Sequence, residues 1–122
     1  MNNFDFSENM KVRTKVFAVE IVKFYKALPK TDEARVPGRQ VLRSGTSVAA
    51  NYRAVCRSKS QADFISKMGT VVEEADEMLP WFQLFEDAEV CAPDKVNKLK
   101  SEADELLRIF STELGTSKRD TR

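Results

Sequence analysis

The chain has 122 residues, 42% of them hydrophobic and 32% charged, with four glycines and four prolines. That length suits one domain with a modest core, and the composition excludes a disordered chain in favour of helices joined by short loops. The net charge of +1 names no partner by itself, and the two cysteines, Cys56 and Cys91, form no metal-ligand or redox spacing.

No apolar run reaches about 18 residues, so no membrane span is expected. The opening MNNFDFSENMK lacks the basic-then-apolar order of a signal peptide. A cytoplasmic protein with free thiols is the expectation.

The first helix is predicted over about 11–28. It carries two apolar seams, Phe17, Ile21, Phe24, Leu28 and Ala18, Val22, Tyr25. A helix apolar on more than one side is covered on more than one side, which predicts an oligomer.

The second helix is predicted over about 33–57. Val41, Gly45, Val48, Tyr52 and Val55 step by 4, 3, 4, 3, with Leu42, Ala49 and Cys56 widening the face. Ser44, Gly45, Thr46 and Ser47 lie inside this period without breaking it. They read as a turn of helix kept small for the approach of another helix, not as a phosphate-cradling loop, which would also need a Gly-Lys-Ser/Thr motif after a strand. Pro37 is expected either to mark the helix start or to separate a kinked first turn around Asp32–Val36.

The third helix is predicted over about 60–89. Phe64, Met68, Val71, Ala75, Met78, Phe82 and Phe85 form its seam, and Ser60 with Asp63 resembles a capping box. Pro80 is expected to bend the helix near Asp76, and Gly69 to mark a close contact. The fourth helix, about 94–114, opens at Pro93 or Asp94 and carries Val96, Leu99, Ala103, Leu106 and Phe110 at spacings of 3, 4, 3, 4. Gly115 is expected to close it and 115–122 to form a frayed tail. Short connections make successive helices antiparallel neighbours, so the predicted fold is an all-α, up-down-up-down four-helix bundle forming one domain over 1–122. Cys56 and Cys91 then fall near opposite ends of the third helix, too far apart for a disulfide.

Charge is segregated. Residues 35–67 hold seven cations and one acid, whereas 68–94 hold eight acids and no cation. Arg39 and Arg43 share a helix face, as do Arg53 and Arg57, with Lys59 following in the loop. Repeated arginines on a rigid helix suit phosphate contacts. The competing reading pairs them with Glu73, Glu74, Asp76 and Glu77 of the neighbouring helix. Pairing or interface use is favoured for Arg43 and Arg53, and free cations for Arg57 and Lys59.

No enzyme is expected. Ser44 and Ser47 have no histidine partner, since the chain contains none, and Cys56 lies on an apolar face. The acids lack the histidines and the second carboxylate helix of a di-iron bundle, so neither a metal nor another cofactor is expected.

The run RSGTSVAANYRAVCRSKSQADFISKM, flanked by FYKALPKTDEARV and EADEMLPWFQLFEDAEV, resembles the bacterial four-helix-bundle family encoded in intervening sequences of 23S rRNA genes. The matching positions include Leu42, Arg43, Ser47, Val48, Ala50, Asn51, Arg57, Ser60 and Phe64. The chain departs from the family's common Asn-Ile-Ala-Glu-Gly run, having Asn51, Tyr52, Arg53, Ala54 and Val55 there. The resemblance implies a non-enzymatic bundle that assembles as a homopentameric ring. It is also similar to the basic, pentameric accessory variability protein of diversity-generating retroelements, which implies nucleic-acid binding.

The expected function is therefore a non-enzymatic, homo-oligomeric RNA- or DNA-binding or adaptor protein. Its phosphate-facing candidates are Arg39, Arg43, Arg53, Arg57 and Lys59. The alternative is a structural scaffold for a protein partner, with the arginines used in inter-helix or inter-subunit ion pairs.

Overall fold

The computed structural model describes residues 3–120. Four helices follow one another: α1 (Asn3–Ala27), α2 (Asp32–Val55), α3 (Gln61–Asp87) and α4 (Pro93–Asp120). No strand occurs among the described residues. α1 packs on α2, α2 on α3 and α3 on α4, while α1 and α4 meet only sparsely. This is the antiparallel, up-down-up-down bundle expected from short loops.

The heptad-like seams are the core. Phe17, Ile21 and Phe24 of α1, Leu28 just past its end, and Val41, Val48, Tyr52 and Val55 of α2 are buried. So are Met68, Val71, Ala75, Met78, Phe82 and Phe85 of α3, and Val96, Leu99, Ala103, Leu106 and Phe110 of α4. The small-residue turn does what its composition predicts. A Cβ built on Gly45 would stand 2.9 Å from Ile21 Cγ1, so α1 closes on α2 only because this position has no side chain. Gly38 gives a second close approach at the end of α1, where an added Cβ would lie 2.5 Å from Leu28 Cδ1 and 3.3 Å from Tyr25 Cδ1.

Local signals fix the helix ends. Ser60 Oγ accepts from the Asp63 N–H at 3.0 Å, and Asp63 Oδ2 reaches back to the Lys59 N–H at 3.0 Å. The return bond of this capping box therefore falls one residue before the cap. α3 stops without glycine. Glu89 takes a left-handed φ of 52°, and the Val90 N–H donates to the Phe85 carbonyl at 3.3 Å while Glu89 N–H donates to Glu86. That is a Schellman closure with a glutamate where glycine would be unstrained.

Four expectations need correction. α1 begins at Asn3, not near 11, because Phe6 and Met10 extend its seam; buried Thr14 occupies a seam position and hides the period. The Thr14 hydroxyl satisfies itself by donating to the Met10 carbonyl at 2.8 Å. α4 runs through Gly115 to Asp120, with Leu114 packed on the core and Gln61 Nε2 donating to the Ser117 carbonyl at 3.1 Å; residues 121–122 lie outside the described range. Pro37 sits inside α2, five residues beyond its first residue Asp32. Of the two alternatives, a helix start at Pro37 is the one overturned: α2 already runs as helix from Asp32, with Pro37 buried inside it. Gly69 marks no close contact within the chain, since a Cβ there would meet nothing within 4 Å.

The second seam of α1 is largely uncovered. Ala18 and Tyr25 are half-buried, but Val22 is exposed, and so are Val12, Val16 and Val19 on the side away from the core.

Candidate nucleic-acid interface

The outward face of α2 carries Arg35, Arg39, Arg43 and Arg53, and Arg57 follows in the turn just past its end, all exposed. Steps of three and four through Thr46 and Ala50 keep both arginine groups on one stripe. From Arg39 to Arg53 the stripe runs about 21 Å at the helical rise.

The five candidate cations divide in two. Arg43 is engaged: its Nη2 meets Glu77 at 2.9 Å and its Nη1 meets Glu74 at 3.4 Å, both on α3. These carboxylates raise the guanidinium pKa, led by the hydrogen bond to Glu77. Arg39, Arg53 and Arg57 make no ion pair among the described residues. Pairing with the α3 acids therefore holds for Arg43, whereas Arg53 is exposed and makes no such pair among the described residues. Lys59 is exposed in the α2–α3 loop, and its backbone N–H, not its ammonium, is used by Asp63.

The fold brings in a cation that the sequence reading missed. Lys11 of α1 lies with Arg53 and Arg57 around a crevice of about 320 Å³, together with Phe4, Glu8 and Cys56. Lys11 pairs with Glu8 at 2.9 Å, so three cations face one acid there. The signal that would have found Lys11 is the earlier start of α1, which packs this turn beside the end of α2. The Cys56 thiol is pushed up chiefly by burial, with Lys11 opposing the shift, and burial does the same to Cys91. Both thiols are free and poor nucleophiles.

On the opposite side of α1, Arg13 forks onto Glu102 of α4, with Nε at 2.9 Å from Oε2 and Nη2 at 2.7 Å from Oε1. Glu105 adds a third contact at 3.1 Å. This bidentate geometry ties α1 to α4 where their apolar contact is thin. No group of three acidic or cysteine side chains that would hold a metal occurs among the described residues. No described helix is long and apolar enough to cross a membrane.

Comparison with known proteins gives the fold a family. Residues 8–112 match the model of the 23S rRNA-intervening sequence protein family. Among solved structures, the chain is similar to a protein of unknown function from the S23 ribosomal protein family of Bacteroides thetaiotaomicron. The two share 32% identity with a TM-score of 0.78, over 85% of this chain and 96% of that one. No curated protein matches. The family match spans the small-residue turn of α2, the Ser60 cap and the seams of all four helices, and the chain belongs to the 23S rRNA-intervening sequence protein family.

Proposed function

We propose that this protein is a non-enzymatic nucleic-acid-binding adaptor that works as a homo-oligomer, with a ring of five as the expected assembly. The observation that carries the reading is the convergence of Lys11, Arg53 and Arg57 at one end of the α1–α2 face. Arg53 and Arg57 have no carboxylate partner among the described residues. Arg39 continues the same outward stripe, and Lys59 stands in the adjoining loop. Unpaired guanidinium groups on a rigid helix neutralise phosphates without first giving up an internal partner. The exposed valines of α1 support self-association, since Val12, Val16 and Val19 form an apolar strip that the single chain leaves in water.

A fluorescent single-stranded RNA and a duplex DNA, titrated at several salt concentrations, test the reading. Binding is expected near 50 mM salt and should weaken steeply as salt rises. Arg53→Ala and Arg57→Ala should each reduce the salt slope by about 1. Arg43→Ala should change it less, because that side chain is already held by Glu74 and Glu77. Absence of salt-sensitive binding to either probe refutes the proposal.

The Arg43 pairing favours a second reading, a scaffold for a protein partner whose arginines serve the bundle itself. Light scattering on the Arg39→Ala and Arg43→Ala variants separates the two. Dissociation of the assembly assigns those arginines to subunit contacts, whereas an intact assembly with weakened RNA binding assigns them to phosphates.

A further inference from the structure

The α4 seam does not end at Phe110. Its next position, three residues on, is Glu113, a carboxylate where the period calls for an apolar side chain. Glu113 faces a cleft of about 740 Å³ between the start of α1, the start of α3 and the end of α4. Phe6, Phe64 and Ile109 form its apolar walls, and Ser7, Thr112 and Thr116 add hydroxyls. The volume is that of a small-molecule site.

The charges around the cleft select the ligand. Arg108 on the rim is turned to Asp104 at 2.7 Å. The Thr112 hydroxyl donates back to the Arg108 carbonyl at 2.9 Å. Among the described residues Glu113 forms no salt bridge, and it accepts one long hydrogen bond, from the Tyr52 hydroxyl to Oε1 at 3.4 Å. A carboxylate has about four acceptor positions. Most of those on Glu113 remain open to a donor entering the cleft. Burial raises its pKa to about 7, with the Tyr52 bond opposing, so the site is one where an incoming cation would be strongly welcomed by the ionised form.

We propose that this cleft binds a small amphipathic amine, holding its apolar body between Phe6, Phe64 and Ile109 and its ammonium on the Glu113 carboxylate. The ring faces of Phe6 and Phe64 suit an alkylammonium as well as a hydrocarbon. Among the described residues lining the cleft, an anionic ligand meets no uncommitted cation. The site is separate from the arginine stripe and stands or falls independently of nucleic-acid binding.

The test compares three probes of similar size on the full chain at pH 8: 2-phenylethylamine, 2-phenylethanol and 3-phenylpropionate. Calorimetry gives affinities, and amide chemical shifts locate the site. The amine is expected to bind with a dissociation constant below about 1 mM, at least about tenfold tighter than the alcohol, with the propionate weakest. Shifts should centre on Phe6, Phe64, Ile109 and Glu113. Glu113→Gln should bring the amine down to the alcohol's affinity while leaving the alcohol unchanged. Ile109→Trp, which fills the cleft from its half-buried wall, should abolish both. Equal affinity for amine and alcohol overturns the proposal, as does an amine affinity that survives Glu113→Gln, or saturable binding by none of the three probes. If Glu113→Gln fails to fold, the amine-to-alcohol ratio in the parent chain and the Ile109→Trp result decide the question.

Discussion

The two ends of the bundle are built from the same seams and come out differently. At the end that holds the 28–31 and 88–92 loops, Phe24 meets Phe85 edge-to-face with centroids 5.4 Å apart, among buried Leu28, Phe82, Val96 and Leu99. At the other end the aromatic pair is Tyr52 stacked on Phe110 at 5.5 Å, and the seam then continues into Glu113 and an open cleft. The fully buried seam of the first end is hydrocarbon, with Tyr25 and Cys91 half-buried beside it. The second places the buried Tyr52 phenol against the half-buried Glu113 carboxyl, with the half-buried Cys56 thiol close by, and three cations stand beside it. Departures from the apolar period collect at one end, and that is where chemistry is available.

The largest test of this contrast is truncation of the dry end. Phe85→Ala should cost about 3–5 kcal/mol of unfolding free energy in a denaturant titration, because the cavity it leaves has no route to solvent. Phe64→Ala, on the half-buried wall of the cleft, should cost less than half as much. Equal losses would mean that the two ends are packed alike.

Glu113 sharpens the comparison through pH. Below about pH 4.5 its carboxyl is protonated in both the folded and the unfolded chain and has no effect on stability. As pH rises, the unfolded chain ionises first, while the folded state keeps its proton until about 7. Stability from this group therefore falls across that window and stays lowered above it. Discounted for the carboxyl's partial exposure, the effect is on the order of 1–2 kcal/mol. Glu113→Gln should accordingly raise the melting temperature at pH 8 and leave it almost unchanged at pH 4.5. A variant equally stabilised at both values would refute the burial argument.

The smallest effect lies at the dry end's own turn. Glu89 holds a left-handed backbone without need of its side chain. Glu89→Gly should stabilise the fold by up to about 1 kcal/mol in the same titration. No gain would mean that the carboxylate contributes there through a contact with another molecule.

The fold was legible in the sequence because its core is a repeated spacing, and the 3-4 steps on all four helices became buried seams. The close approach at Gly45 was legible for the same reason, as a small residue in an unbroken period. What escaped notice were seam positions filled by polar residues. Thr14 hides the first turns of α1, because its hydroxyl finds a backbone carbonyl and so is buried at little cost. Glu113 hides the last turns of α4, and with them the cleft. The candidate cations were all found on the exposed surface, yet whether each was committed depended on distances between helices. Spacing along α2 puts Arg43 and Arg53 on one stripe, but only the packing of α3 ties down the first and leaves the second free.

The thin contact between α1 and α4 has a consequence for motion. α1 is fastened along one neighbour, α2, and to α4 by the Arg13 fork, with a short hinge at 28–31. Its release would expose only one of the three main helix interfaces while leaving α2, α3 and α4 packed together. Native-state hydrogen exchange should accordingly show two tiers, with α1 amides opening together at lower free energy than those of the other helices. Arg13→Ala should lower the first tier and leave the second in place. A leaf that swings on a short hinge is also the geometry from which one chain lends a helix to another.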